Sequence, residues 1–210
     1  MRSVTPIVHP AAILRGQHHL EGAQIAYLTR LAQSPGRTPL DPNESPPGWL
    51  AEPTLAQLSD FTYLVRRQHQ MVSFDVENAG PHLVCCGVFI MDPELLLPTG
   101  GVCFRFRKCG GDPWWPTWEE HLRAVELLYL ILADPEVAKV GHFSTMHDIP
   151  LLEHLGFDVK GRLIDTAALL HAVHSELPKG LNFNATLFCG APWWKDVADA
   201  KEPTPEEEGE

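Results

Sequence analysis

Two acidic residues separated by one position lie in the segment Met71–Glu77, which reads MVSFDVE. Because successive side chains of a strand point to opposite faces, a strand here places Asp75 and Glu77 on the same face. Their like charges repel each other unless a cation or a shared proton neutralises them. Hard divalent cations such as Mg²⁺ or Mn²⁺ prefer oxygen ligands of this kind. A solvated strand edge is the alternative interpretation, since Asp-x-Glu by itself is a weak motif.

A second acidic position follows the short apolar strand predicted over Val137–Gly141. The next residues read HFSTMHDIPLL, and Pro150 in this run suits the first turn of a helix. Asp148 would then lie at a strand-to-helix junction, where backbone amides and the helix dipole favour a charged carboxylate. A further short strand predicted over Val159–Leu163 leads to a helix that starts at Asp165.

The elements that must position these acids follow the order helix, three strands, helix, strand. The run His82–Met91 is almost entirely apolar, which is typical of a central strand covered on both faces. Capping residues predict the helix starts, with Thr54 before one helix and the pair Thr117 and Glu120 before another. The predicted strands are Met71–Glu77, His82–Met91, Val102–Lys108 and Val137–Gly141, and the predicted helices cover about 54–67 and 118–132. This order predicts an α/β fold with a mixed sheet flanked by helices.

The composition restricts the classes of function. The 210 residues carry a formal net charge of −11, whereas proteins that bind long stretches of nucleic acid are usually basic. Any nucleic-acid contact is therefore expected to be local and assisted by a metal. No apolar run is long enough to cross a membrane, and no signal peptide is visible. Five cysteines without a Cys-x-x-Cys pair indicate reduced thiols in a cytoplasmic protein rather than a disulfide set or a zinc site.

The regions that flank the predicted sheet differ from it in composition. Residues 1–33 contain the string HPAAILRG and an amphipathic pattern over about 21–33, which predicts a helical or irregular N-terminal extension. Residues 34–53 are rich in proline and are predicted to be a linker without regular structure. The main domain is predicted over 54–196. Residues 197–210 are acidic and lack an apolar period, so we expect disorder there.

A series of motifs in this order resembles the proofreading 3′–5′ exonuclease domain of DNA polymerase I type enzymes. That domain belongs to the DEDD group of ribonuclease-H-like proteins, and the similarity is closest to bacteriophage-like versions. The motifs are FDVE, GHxxxxHDIPLL, DTAALLHA, ELPKGL and WWKD, and they cover about residues 60–196. The N-terminal HPAAILRG resembles the last motif of uracil-DNA glycosylases. We interpret that segment as a glycosylase-like remnant rather than a working site, and a helix-capping turn at His9 is an equal alternative.

The resemblance implies a site and a reaction. Asp75 and Glu77 match the first exonuclease motif and Asp148 matches the second, so these residues are expected to bind two divalent metals, Mg²⁺ or Mn²⁺. The reaction is hydrolysis of the phosphodiester at a single-stranded DNA 3′ end. Asp165, His142 and His147 are expected to support the ligands or to be structural. The resemblance also implies a separate DNA polymerase chain as a partner, no membrane association, and a location in the cytoplasm of a bacterial or phage-infected cell.

The sequence departs from the family pattern at two motifs. The second motif usually reads HNxxxFD, and here Phe143 replaces the Asn and His147 replaces the Phe. The third motif, YxxxD or HxxxxD, is not found after WWKD, so the fourth carboxylate ligand is not identified. We therefore expect a truncated or split exonuclease that is weak alone. The alternative is a catalytically impaired module of the same fold that binds nucleic acid or docks on a polymerase.

Several cationic and aromatic residues are candidates for contacts with nucleic acid. Arg105, Arg107, Lys179 and Lys195 could bind phosphates, although a solvated strand edge explains the two arginines equally well. The tryptophans Trp114, Trp115, Trp118, Trp193 and Trp194 could stack on unpaired bases, and hydrophobic anchoring of loops is the alternative.

Overall fold

The computed structural model describes residues 48–91, 98–108 and 110–189. These residues fall into two compact units, 48–169 and 170–189. The N-terminal glycosylase-like segment, most of the predicted linker, the WWKD motif and the acidic tail lie outside the described residues. The first unit is an α/β structure with a six-stranded mixed sheet and flanking helices, which confirms the predicted fold class.

The elements alternate between the sheet and its flanking helices. The strands are β1 (Trp49–Leu50), β2 (Met71–Ala79), β3 (His82–Met91), β4 (Pro98–Arg105), β5 (Lys139–Gly141) and β6 (Leu163–Asp165). The helices are α1 (Leu55–Arg67), α2 (Trp118–Leu132), α3 (Asp148–His154), α4 (Thr166–Val173) and α5 (Leu181–Asn184), and a π-helical turn follows over Ala185–Cys189. The boundary between the two units lies within α4. None of the described helices is long and apolar enough to cross a membrane.

The strand directions bring four strand ends to one side of the sheet. The strand order is β1-β4-β3-β2-β5-β6. β3 is antiparallel to both β2 and β4, whereas β2, β5 and β6 are parallel neighbours. β2, β4, β5 and β6 therefore all run in the same direction and end at the same side, which we call the carboxyl end of the sheet. Residues in or just after these strand ends can meet although they are distant in sequence.

Alternation along β2 separates a buried face from an accessible one. Val72, Phe74 and Val76 are buried, whereas Asp75 and Glu77 between and after them are exposed. The buried face packs against α1 and α2 in one hydrophobic cluster. Because apolar side chains of both helices are removed from water there, this face holds the helices on the sheet. The opposite face, which we call the front face, carries the acidic pair.

The helix starts agree with the capping prediction. At α1, the Thr54 hydroxyl accepts a hydrogen bond from the Gln57 amide while the Gln57 side chain accepts from the Thr54 amide. At α2, Thr117 and Glu120 form the same reciprocal pair. Each pair satisfies two amides that the helix itself leaves without partners. Both helix predictions are therefore confirmed.

Two strands and the linker differ from the sequence prediction. Trp49–Leu50 form a short strand inside the segment predicted to lack regular structure, where Trp49 stacks on Phe89 at 4.6 Å between ring centroids. β4 spans Pro98–Arg105 rather than 102–108, because a turn closed by the Lys108 amide and the Asp112 carbonyl ends it early. β3 is buried on one face and only half-buried on the other, and not covered on both.

β6 also begins four residues later than predicted, at Leu163. Gly161 has a φ of +85°, a left-handed conformation that interrupts an extended strand and that glycine adopts without strain. A Cβ at this position would lie 2.7 Å from the Pro135 carbonyl oxygen and 2.8 Å from that of Val137. The close backbone approach therefore requires glycine at position 161, and β6 begins only after it, at Leu163.

A lysine is buried at the amino end of β5. Lys139 is only 1% exposed, and its ammonium group donates hydrogen bonds to the Asp134 carbonyl and, at 2.6 Å, to the Lys160 carbonyl. It thereby joins the end of α2 to the segment before β6. Burial lowers the pKa of Lys139 to about 8, although the Asp134 charge opposes this shift.

The buried Lys139 should make the stability of the folded protein depend on pH. Because the folded-state pKa lies below the unfolded value, the unfolded chain binds more protons between about pH 8 and pH 10.5, and the free energy of unfolding should rise across this window. The rise attributable to Lys139 should approach about 3 kcal/mol. Urea unfolding of the wild type and of Lys139→Met at several pH values measures it. An equal pH slope in both proteins would contradict the assignment.

Candidate functional site

The acidic pair lies near the end of β2 on the front face. Asp75 pairs with Gly87 of β3 and Glu77 pairs with Cys85, and the register shifts between Glu77 and Asn78. Such an irregularity bends a strand and redirects its side chains, and it is common beside functional sites. Both acids are exposed, so the structure places them where a ligand can reach them.

Asp148 is close enough to this pair for their charges to act on its carboxyl group. It is the first residue of α3 and is only 3% exposed. Burial, and after it the negative charges of Asp75, Asp165 and Glu77, together raise the pKa of Asp148 to about 6, while His147 opposes the shift. Residues 75, 77 and 148 therefore influence one another although about seventy positions separate the first two from the third. Asp148 is thus within electrostatic range of the acidic pair that the sequence singled out.

Two histidines contribute to the same electrostatic neighbourhood. Desolvation of its carboxyl group raises the pKa of Asp75, although the residue as a whole is exposed. His147 and His142 act in the opposite direction on Asp75. His142 also contacts the Thr166 hydroxyl through Nδ1 at 2.9 Å. These two histidines, which are close to Asp148 in sequence, are thus also close to Asp75 in space.

Asp165 organises the loop that leads to Asp148. Its carboxylate accepts hydrogen bonds from the amides of Phe143, Thr145, Ala167 and Ala168, and from the Thr145 hydroxyl at 2.7 Å. Burial alone would raise the pKa of Asp165, but these hydrogen bonds outweigh burial and hold the pKa below its ordinary value. The residue therefore connects the start of α4 to the segment between β5 and α3.

A close backbone approach at Gly141 completes this loop. A Cβ at residue 141 would lie 2.4 Å from the Ser144 Cβ and 2.5 Å from its Oγ, so no larger residue fits without moving the loop. The Thr166 hydroxyl donates to the Gly141 carbonyl at 3.1 Å. The Ile149 amide donates to the Ser144 carbonyl at 2.8 Å and fixes the start of α3. These contacts determine where the Asp148 carboxylate is held.

Phe143 adopts a strained conformation within the same loop. Its φ is +56°, in the left-handed region that costs most L-residues about 1 kcal/mol and that asparagine tolerates better. The exonuclease motif that this segment resembles has asparagine at this position. The Phe143 side chain is 42% exposed, so little burial would offset the strain.

Replacement of this residue by asparagine should stabilise the protein. We expect Phe143→Asn to increase the free energy of unfolding by about 0.5–1 kcal/mol, because it removes left-handed strain at an exposed position. Phe143→Ala is the matched control, since alanine also lacks the ring but does not favour this conformation. Chemical denaturation of the three proteins measures the effect. Equal stability of the Asn and Ala variants would show that φ strain is not the cause.

The site acids have oxygen donors that suit a metal ion, but their side chains are not arranged to bind one. Among residues 48–91, 98–108 and 110–189, no three His, Cys, Asp or Glu side chains are arranged to hold a metal ion as they stand. Carboxylate oxygens are nevertheless the donors that Mg²⁺ and Mn²⁺ prefer. A cation would also relieve the repulsion that raises the pKa of Asp148. Metal binding would therefore require movement of these side chains.

The predicted nucleic-acid contacts have different surroundings. Arg105 and Arg107 lie at the carboxyl end of the sheet with half-buried side chains, and Arg107 donates to the Gly111 carbonyl. In the second unit, Lys179 donates to the backbone carbonyls of His174, Ser175 and Leu177, so its ammonium group closes a turn. Lys195 lies outside the described residues.

Several residues that shape the site were not singled out by the sequence. Thr145 and Thr166 hold the loop, and Gly141 permits its close approach. The only sequence signal for them is their position beside the motif residues. The packing of Trp114 against Arg105 at 4.4 Å also was not predicted, because a contact between a strand and a loop leaves no periodic pattern.

No protein-family model and no curated protein matches this sequence. The structure is similar to the Aedes aegypti Nibbler EXO domain, with a TM-score of 0.52 and 13% identity over 79% of this chain and 81% of that domain. It also resembles Escherichia coli RNase D, an exoribonuclease involved in structured RNA processing, with a TM-score of 0.49 and 19% identity. That match covers 76% of this chain and 39% of RNase D.

A further similar structure is the EXD2 exonuclease domain soaked in Mn and GMP, with a TM-score of 0.39 and 20% identity over 77% of this chain and 79% of that one. Of these three structures, the Nibbler domain has the highest TM-score, and at 13% identity the similarity concerns the fold. The specific relationships to DNA polymerase I and to uracil-DNA glycosylase stay predictions. This chain has an α/β, ribonuclease-H-like fold that is similar to the fold of the Nibbler EXO domain.

Proposed function

We propose that this protein is a 3′–5′ exonuclease-like phosphodiesterase that acts on single-stranded DNA ends. Asp75, Glu77 and Asp148 are the catalytic and metal-binding residues in this proposal. The single observation that carries it is the burial of Asp148 within the electrostatic reach of the exposed acidic pair. A structural role does not account for this arrangement, because gathering unpaired carboxylates costs stability.

The proposed chemistry needs a cation because the scissile phosphodiester and both oxygens that exchange at phosphorus carry negative charge. Mg²⁺ or Mn²⁺ held by Asp75, Glu77 and Asp148 would supply Lewis acidity and a more acidic bound water. Exposure of the pair on β2 leaves room for the phosphate of a strand end. Asp165 is a positioning residue in this scheme, since its carboxylate is occupied by hydrogen bonds that hold the loop before Asp148.

The biological setting is a finer part of the same proposal. The order of the motifs supports a phage-type replication or proofreading role, with a separate DNA polymerase chain as the partner. Two bound metals and a fourth carboxylate are expected from the same resemblance. The preference for DNA over RNA as the substrate is proposed because the motifs resemble those of DNA polymerase domains. Comparison of the hydrolysis rates on DNA and RNA strands tests this preference.

A second candidate function is a nucleic-acid-binding module with the same fold and little turnover. Phe143 and His147 stand in the second motif where the exonuclease pattern has Asn and Phe. This difference favours the alternative, because the loss of the usual motif side chains is expected to lower catalytic activity. Binding of strand ends would then persist without hydrolysis.

A nuclease assay distinguishes the two functions. The wild type with Mn²⁺ should release mononucleotides from 5′-labelled single-stranded DNA, seen as stepwise shortening from the 3′ end. Asp75→Asn should lower the rate by about a hundredfold or more, because it removes a charged ligand. Arg162→Gln, which replaces an exposed residue before β6 at the opposite end of the sheet, is the control. Binding without shortening by the wild type would support the binding module instead.

Replacement of Asp148 by asparagine should show how much its buried charge costs the stability of the folded protein. Since the folded-state pKa of Asp148 is raised to about 6, the folded state binds more protons between about pH 4 and pH 6, so stability should fall as the pH rises through this window. Without metal at about pH 7.5, Asp148→Asn should be more stable than the wild type by about 2 kcal/mol. Near pH 4 the two proteins should be equally stable.

Thermal unfolding with and without Mn²⁺ provides the companion measurement for this variant. At the same Mn²⁺ concentration, the wild type should be stabilised more than Asp148→Asn, because stabilisation by binding to the folded state increases with the logarithm of the affinity. Identical stabilisation of both proteins by Mn²⁺ would remove Asp148 from the proposed ligands.

A further inference from the structure

A row of residues leads across the front face from the acidic pair to an arginine. Glu77 of β2 is paired with Cys85 of β3, and Cys85 is paired with Arg105 of β4. Directly paired residues lie on the same face, and neighbouring strands are about 4.8 Å apart, so the Cα atoms of Glu77 and Arg105 are about 10 Å apart. That separation is comparable to the length of one or two nucleotides of an extended strand.

The Arg105 side chain is held but remains accessible. Its guanidinium group lies over the Trp114 ring at 4.4 Å from the centroid, and the side chain is 31% exposed. A stacked guanidinium group keeps its edge N–H donors available, and these suit the paired oxygens of a phosphate. Its ion pair with Glu52 is 3.3 Å long, and Glu52 is 67% exposed. A surface pair of this kind contributes little stability, so an anionic ligand can displace it.

The stacking partner belongs to a loop that backbone hydrogen bonds hold in place. The Trp114 amide donates to the Phe106 carbonyl at 3.0 Å, and the Trp115 indole donates to the Arg105 carbonyl at 2.8 Å. Arg107 and Pro113 form a bridge between the two sides of the loop. Trp114 is therefore fixed against β4, and the arginine is preorganised rather than free in solvent.

The charge distribution favours an anionic ligand at this position. The chain carries a net charge of −11, and the three site acids repel a nucleic acid that approaches without metal. Arg105 is a cation on the same face and at the same end of the sheet as Glu77. A local positive charge beside an acidic site draws the phosphate backbone to a defined register.

We infer that Arg105, stacked on Trp114, binds the backbone phosphate of the nucleotide that precedes the one being removed. This inference rests on the proposed exonuclease function and specifies the substrate as a strand at least two nucleotides long. The arginine is a binding and positioning residue, since its row places it away from the reacting phosphate. Loss of this contact should weaken binding of oligonucleotides and should leave the chemistry of a single nucleotide unchanged.

Two substrates separate these effects. An oligothymidylate of about ten nucleotides lies within the length that a single-strand-binding groove covers. The p-nitrophenyl ester of thymidine 5′-monophosphate presents one nucleotide and no preceding phosphate. Arg105→Gln should lose about tenfold in kcat/KM on the oligonucleotide, mainly through KM, and should match the wild type on the ester. Arg162→Gln, an exposed arginine before β6 at the opposite end of the sheet, is the matched control.

Equal losses on both substrates, or an oligonucleotide rate equal to that of Arg162→Gln, would overturn the inference. If the wild type hydrolyses neither substrate, the proposed function fails, and the subsite is tested by fluorescence anisotropy of the labelled oligonucleotide. Arg105→Gln should then bind about tenfold more weakly and lower the slope of log Kd against log salt by about 0.7, as expected for one lost phosphate contact on a single strand. An unchanged affinity and slope would exclude the subsite.

Discussion

Electrostatic repulsion between Asp148 and the acidic pair of Asp75 and Glu77 is the constraint on which the proposed site depends. Two of these acids are exposed and the third is almost completely buried, so the cost of ionisation falls mainly on Asp148. Neighbouring negative charges add to that cost. An arrangement of this kind destabilises the folded chain unless a counter-charge enters, and it is typical of sites in which a cation takes part.

The fold sustains the repulsion through contacts that act at the carboxyl end of the sheet. The Asp165 carboxylate, with its own hydrogen bonds complete, ties the loop after β5 to the start of α4. Gly141 allows this loop to pass close to the strand, and Phe143 stores strain within it. These features hold the Asp148 backbone, so the acid cannot relax away from the pair on β2.

Sequence periodicity was sufficient for one part of this site. The alternation in MVSFDVE determines that Asp75 and Glu77 share a face, and the apolar residues between them determine which face is buried. The capping pairs located the starts of α1 and α2 for the same reason, since their effects are local. The order of the motifs was likewise enough to predict the fold class.

Features that arise from long-range packing left no such pattern. The burial of Asp148, the left-handed conformation of Phe143 and the stack of Arg105 on Trp114 all depend on segments that are distant or folded back by turns. β1 has only two residues, which is too short for a periodic signal, and the start of β6 depends on the contact between Gly161 and carbonyls before β5.

A crystal structure with Mn²⁺, located by anomalous scattering, tests the central claim most directly. A manganese peak should appear at about 2.1 Å from carboxylate oxygens of Asp75 and Asp148, with Glu77 bound to the same ion or to a second one. Saturating Mn²⁺ that leaves no peak between β2 and the start of α3, or that occupies other residues instead, would contradict the account.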